Sequence, residues 1–462
     1  GLDFENFSAA ESLVSLCKEK FSIDKSIFPS RTLKVIFERS LNKSVSHLLV
    51  FIAMNVGPLF SEEDPLNGSS LPLNTLIGEV LKRNPDLEAA RDRIRAAAEV
   101  VSRVQVIDDP EFRFMSDYNN FKANSEFLPM LQYQISQTFP FPGKLGLKGK
   151  VAEEVLKQFQ SQEIITERDL VLQTKKLYFQ LFFNRASDQI NQHNRELVKN
   201  LIDASLALYK SGLAGYEEVA KVQIELQVLD EQWLTIEADR IFIVSLLNAI
   251  LDRPPKSTLG PPIDDFKSSM NVPVDNLESL AIRNRPELKE IQAMVDEQQM
   301  MARLAKREYF PDIIVSAGYE QMTRNRKDNA WEASIGFKIP LWVGLRQKRQ
   351  VREAEARASA GMNALRGMEA RIRGQIQEIL GQLTASEERF FLYETGLLPK
   401  IREALKASES SYRSGKGGFL FLLDTRRQYQ DISLEYERVR AERESLMAEL
   451  ERAIGVPWEE MQ

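Results

Sequence analysis

The chain has 462 residues, 43% of them hydrophobic, enough for a sizeable core and for two or three ordinary domains. A formal net charge of -6 with no strongly basic block argues against nucleic-acid binding, because phosphate neutralisation needs clustered Lys and Arg. The single cysteine, Cys17, excludes an intrachain disulfide, and the two histidines, His47 and His193, stand at no metal-ligand spacing, so neither a metal site nor a cofactor is expected.

In chain order, residues 1–46 precede an apolar run, HLLVFIAMNVGPLF at His47–Phe60, with Arg39 and Lys43 before it and Ser61–Asp64 after it. A positive flank, about a dozen apolar residues and a polar exit form the outline of a secretory signal peptide. The run falls short of the ~20 residues that a spanning helix needs; a buried core helix is the alternative. Cys17 superficially resembles a lipid-attachment cysteine, but Asp3, Glu5 and Glu11 precede it where basic residues would be needed. Residues 1–60 are read as an upstream extension with a signal peptide, 61–270 as a first repeat and 271–462 as a second. No other stretch approaches an apolar spanning helix, so any membrane passage is expected to use strands.

The repeat shows in LPLNTLIGEVLKRNPDL at Leu71–Leu87 and VPVDNLESLAIRNRPEL at Val272–Leu288. Pro85 answers to Pro286 and Pro110 to Pro311 at an offset of 201, Pro140 to Pro340 at 200, and Gly212 to Gly415 at 203. Such a period is too long for a solenoid unit and indicates a duplicated domain half. Each half opens with a short helix broken at a proline (Pro85, Pro286) that sits in the first turn of a second, charged helix, where its missing N–H costs nothing.

The period then switches to two. In DIIVSAGY, Ile313, Val315, Ala317 and Tyr319 alternate with smaller or polar residues, and in WEASIGFKI the same holds for Trp331, Ala333, Ile335, Phe337 and Ile339. The first half alternates more weakly through Phe112, Phe114, Leu131, Tyr133 and Ile135. Two such strands per half fit a barrel with lipid outside and water inside, or equally a half-buried hairpin of a soluble domain. Corners follow at Phe139–Gly146 (FPFPGKLG) and Ile339–Arg346 (IPLWVGLR), since proline ends a strand ladder and glycine permits the turn. Then come Lys148–Tyr209 and Gln347–Tyr412, rich in helix formers and broken only by Pro399. About 60 residues of helix span ~90 Å, a length that points to coiled-coil packing. Each ends at a glycine-containing tip, YKSGLAGYEEV or YRSGKGGFLFLLD, and a second long helix returns.

In this order and duplication the chain resembles the TolC-like outer-membrane efflux proteins, from about Leu71 to Pro457, through its paired NPDL and RPEL boxes, its FPFPGK corner and its YKSG and YRSG tips. The resemblance implies an α+β membrane protein: a homotrimer whose twelve-stranded β-barrel, four strands per chain, stands in outer-membrane lipid and continues as a long α-helical barrel across the periplasm. It implies a passive duct rather than an enzyme, docking a periplasmic adaptor and an inner-membrane pump of the resistance-nodulation-division type. The tips Gly212, Leu213, Gly415 and Lys416 would dock the adaptor, and Tyr412, Asp424 and Glu218 would line the entrance. Two departures stand out: Phe421 replaces an acidic residue next to Asp424, and Gly417 replaces a basic tether. The corner resembles members serving heavy-metal export; multidrug efflux and type I protein secretion share the fold.

Two readings of other classes compete. A cytosolic coiled-coil protein would explain the helices but neither the strand alternation nor the duplication. An enzyme would need a site, yet the acid pairs Asp108–Asp109 and Asp264–Asp265 sit in polar linkers without a catalytic partner and read as solvated.

Overall fold

A computed structural model describes residues 66, 68, 70–118, 129–264, 276–322, 329–342, 344–414 and 416–456. The upstream extension, the signal-like run, Cys17, His47, Asp265 and Gly415 lie outside the described residues. The first half runs α1 (Leu73–Arg83), α2 (Pro85–Arg103), β1 (Glu111–Tyr118), β2 (Pro129–Phe139), α3 (Lys144–Lys210) and α4 (Tyr216–Ile250). The second runs α5 (Leu277–Asn284), α6 (Pro286–Arg307), β3 (Asp312–Met322), β4 (Ala330–Lys338), α7 (Gln347–Phe391), a π-helical segment Leu392–Leu397, α8 (Leu398–Arg413) and α9 (Phe419–Ile454). No described helix is long and apolar enough to cross a membrane.

The proline breaks are built as the sequence expects. The Asn84 side chain accepts from the amides of Asp86 (3.0 Å) and Leu87 (3.2 Å), capping α2 ahead of Pro85, while its Nδ2 donates to the Ile250 carbonyl at 2.8 Å. Arg285 takes the same extended backbone before Pro286 but has no capping oxygen, and its guanidinium donates instead to Gln375 on α7 at 3.0 Å. The two halves make one bend with different chemistry.

The strands form one antiparallel sheet in the order β1-β2-β3-β4, with the halves joined across β2 and β3. Tyr133 pairs with Tyr319 and Tyr319 with Trp331; one step along the same face, Ile135, Ala317 and Ala333 line up. Register therefore puts Phe112, Phe114, Ile135, Phe139, Val315, Ile335 and Phe337 on one face, and Arg113, Gln134, Ser136, Ser316, Glu332 and Ser334 on the other. The apolar face is bare: Trp331 is 83% exposed and Ile335 70%. Among the described residues neither β1 nor β4 pairs along its outer edge.

Helix α3 holds 67 residues, about 100 Å at 1.5 Å per residue. Its buried positions 184, 187, 191, 194, 198, 201 and 205 alternate steps of three and four, a coiled-coil seam. Several seam residues are polar: Asn184 and Asn191 donate to the carbonyls of Ile236 (2.8 Å) and Leu229 (3.0 Å) on α4. The second long helix is not continuous, as the sequence reading had it. Pro399 cannot donate to the preceding turn, and the backbone widens into the π turn just before it. Arg389 holds the flank, reaching Glu435 (2.8 Å) and Glu442 (3.0 Å) on α9.

Apolar packing falls into three clusters. One joins α1 and α2 to α3 and α4 through Leu76, Leu87, Leu177 and Leu247, and its counterpart joins α5 to α7 and α9 through Leu277, Ile372, Leu383 and Leu450. The third, with Leu201, Leu229, Leu405 and Leu422, holds all four long helices together next to the tips.

Candidate functional site

The first tip closes α3 with a left-handed glycine. Gly212 (φ 75°) lets its own amide reach the Tyr209 carbonyl (3.0 Å) and the Leu213 amide reach Leu208 (2.9 Å), the paired bonds of a Schellman ending. Leu213 is left 78% exposed at the apex, and Tyr209 and Tyr216 meet edge to face behind it at 5.7 Å. In the second tip the amides of Lys416 and Gly417 both donate to the Ser411 carbonyl at 3.0 Å. Lys416 is exposed. A Cβ at Gly417 would stand 2.8 Å from Ser411 Oγ and 3.1 Å from its carbonyl carbon, so this turn has no room for the basic side chain that the sequence comparison missed there.

Tyr412 and Glu218 come together, and Asp424 stays apart. Tyr412 is buried on α8, its ring 6.1 Å from Phe419; burial raises its phenol above the ordinary value, with Ser205 and Glu218 beside the hydroxyl. Asp424 lies on the exposed side of α9 and accepts from Gln428 at 2.7 Å. Phe421, one turn before it, is 65% exposed, so an aromatic ring and a carboxylate share that stretch of α9.

Sequence reasoning missed a charge contact that joins the two halves at this end. Glu225 on α4 is buried and takes a forked pair of hydrogen bonds from Arg427 on α9, joining the two halves; the Arg427 hydrogen bond to Glu225 raises the guanidinium pKa. Next to it Arg426 is buried at 7% exposure with Nε and Nη1 lacking a hydrogen-bond partner, and burial lowers its pKa against the pull of Glu409 and Glu225. The signal was present: Phe419, Leu422, Arg426 and Gln430 follow the helical seam, which places one arginine of the pair inside.

The corner at the other end of α3 also has a structural account. Lys144 is buried and donates to Asp312 Oδ1 (2.7 Å) and the Phe310 carbonyl (2.9 Å), while the Phe141 amide donates to the same Asp312 oxygen at 2.9 Å. Phe141 stacks on Phe310 at 4.5 Å, and Gly143 supplies the left-handed turn (φ 89°). FPFPGK is thus the clasp between the first half's corner and the start of β3. Asp264, read as a solvated acid, instead ties its linker to Arg440 on α9 at 2.7 Å.

A four-stranded amphipathic sheet joins paired long helical hairpins, and known proteins share this architecture. Residues 277–456 match the family described as "Outer membrane efflux protein". The putative multidrug resistance outer membrane protein MdtQ of Escherichia coli (strain K12) is 23% identical over 270 residues, 54% of this chain and 56% of that protein. The cobalt-zinc-cadmium resistance protein CzcC of Cupriavidus metallidurans is 24% identical over 191 residues, 39% of this chain and 45% of that protein. The chain thus spans about half the length of these curated relatives. The crystal structure of the transmembrane channel protein CusC superposes with a TM-score of 0.74 at 15% identity, covering 83% of this chain and 92% of that one. The resemblance to TolC-like outer-membrane efflux proteins is borne out, in sequence over the second half and in fold over most of the chain.

Proposed function

We propose that the chain is the outer-membrane duct of a tripartite efflux system, a passive conduit and not an enzyme. The observation that carries this is the sheet: apolar side chains bare on one face, polar ones on the other, and both outer edges unpaired among the described residues. Lipid tolerates no unpaired strand edge, so the sheet must close with others. Three copies give twelve strands, with β4 of each meeting β1 of the next, and the same closure brings together helical edges that carry bare apolar side chains. Leu234, Ile241 and Phe242 on α4 support this, as do Phe391 and Leu392 on the second half. Residues 61–270 and 271–462 act as the two repeats of each wall segment.

The far ends of the long hairpins are the entrance and the adaptor-docking tips. Leu213 with Gly212, and Lys416 with Gly415, form the docking apices; Tyr412 and Glu218 brace the closed entrance; Asp424 lines it. Three copies of Asp424 favour cations, and three of Phe421 narrow the same level. An inner-membrane pump supplies the energy. Planar-bilayer recording tests the reading directly: the purified protein opens stepwise conductances, and Asp424→Asn reduces cation selectivity. Failure to conduct would sink the duct, and an unchanged reversal potential would remove Asp424 from the pore.

Heavy-metal cations are the favoured cargo class, supported by the corner motif and by the CzcC likeness; the MdtQ likeness supports organic compounds. Survival of a deletion strain separates them. Sensitivity confined to metal ions supports the first, and broad sensitivity to dyes, detergents and antibiotics supports the second.

A further inference from the structure

The two β-to-helix corners are equivalent in the repeat but not in their surroundings. The first is sealed inside the chain, with Phe141 on Phe310 and Lys144 on Asp312 at the junction where α6 becomes β3. The second, which follows β4, meets nothing comparable among the described residues: Leu341 is 81% exposed, Trp342 67% and Leu345 61%, with Arg346 and Arg349 exposed beside them and in no ion pair there. Pro110 corresponds to Pro311, so the repeat equivalent of the receiving junction is where α2 becomes β1, with Asp109 and Glu111 in the places of Phe310 and Asp312. That junction is bare as well. Val106 is 65% exposed and Ile107 41%, and Asp108 and Asp109 beside them are exposed.

The bare corner and the bare junction lie at opposite edges of the sheet, after β4 and before β1, and at the same end of the strands. One is apolar and cationic, the other apolar and anionic. We infer that they dock on each other between copies: Leu341, Trp342 and Leu345 of one chain cover Val106 and Ile107 of the next, and Arg346 pairs there with Asp109, since Glu111 is already held by Arg113 of its own strand at 2.9 Å. The contact repeats between chains the Lys144–Asp312 clasp made within each chain, so a ring closed in this way carries alternating internal and intermolecular clasps of one design. The acid pair Asp108–Asp109, which has no catalytic partner, gains a role as the anionic half of an assembly surface. This inference rests on the trimeric reading and names the residues that enforce it.

The test is a cross-link in the full chain. With Cys17 replaced by Ser, Ile107→Cys and Leu341→Cys are combined and the membranes oxidised. The edge strands next to the two positions stand three spacings apart within one chain, roughly 14 Å against the ~7 Å Cα limit of a disulfide, and a bond between copies is read as a larger species on a non-reducing gel. The expected result is a covalent ladder ending at trimer. In parallel, Asp108→Arg with Asp109→Arg lowers the trimer fraction in detergent by about tenfold, and adding Arg346→Glu with Arg349→Glu restores most of it. Trimers by light scattering without cross-link or charge-swap rescue would overturn the docking alone; absence of any trimer would overturn the trimeric reading with it. Quenching of Trp342 fluorescence by brominated lipid tails, without cross-linking, would assign the corner to the membrane and likewise overturn the docking.

Discussion

At the residue scale, the informative groups are buried charges with one dedicated partner. Lys144 holds Asp312 and the Phe310 carbonyl from a position with 9% of its side chain exposed. Lys144→Met leaves that carboxylate without its cation and is expected to cost ~3 kcal/mol, read as a lower melting temperature in detergent, with helix content kept. Glu287, at the start of α6, sits with Arg452 (2.7 Å) and Arg285. Burial opposes its charge, but the Arg452 hydrogen bond, a backbone amide and the two guanidinium charges override that and hold the carboxyl below its ordinary range. The sign follows from the depressed native pKa: the stabilisation is complete above the ordinary carboxylate value near 4.3 and fades as pH falls through the native one. Glu287→Gln is therefore less stable than the parent at neutral pH, and acid titration of the two proteins should show the gap closing below about pH 4; a gap that persists in strong acid would assign the loss to packing. Gly417→Ala tests the tight second tip. A Cβ there must push Ser411 aside, so a loss of about 1–2 kcal/mol is expected, partly recovered by Ser411→Gly.

At the element scale, regular features were legible and corrections came from context. The proline-broken openings, the strand pairs and the glycine tips were readable because each rests on a local rule: a fixed φ, a period of two, a left-handed turn. Alternation at Trp331–Ile339 was nearly perfect in sequence, and the fold keeps it, with β4 exposed throughout. The interruption at Leu392–Leu397 was visible only as a proline in a helical run, since whether a helix ends, kinks or widens there depends on what braces it. Here Arg389 and the stacked pair Phe390–Tyr436 (5.6 Å) hold the helix against α9, and the turn widens. Pro399→Ala restores the missing donor. It should raise amide-exchange protection across 392–399; unchanged protection would mean that the bracing, not the proline, sets the π turn. The tip contacts were less legible still. Spacing puts Arg426 in the seam, but the pairing of Arg427 with Glu225 depends on how two helices some 200 residues apart in sequence face each other.

At the scale of the whole molecule, the duplicated halves are chemically uneven. One corner is clasped within the chain and its twin is bare; one opening is capped by Asn84, and the other is uncapped, its arginine donating to a neighbouring helix instead. The unevenness falls where the halves face different surroundings, because an internal junction can carry a buried lysine while an outer edge must stay soluble until it is covered.

A chain whose described strands number four, with neither outer edge paired among the described residues, also has a genetic signature. In the trimeric reading no copy completes a pore alone, so a variant that folds and assembles but cannot open spoils every ring it joins. When such a variant is expressed equally beside the parent, random mixing leaves only about one ring in eight free of it. Closed-entrance alleles of this protein should therefore be dominant, whereas alleles that destroy the bare corner at Leu341, Trp342 and Leu345 should be close to recessive, because their products enter the ring about tenfold less often.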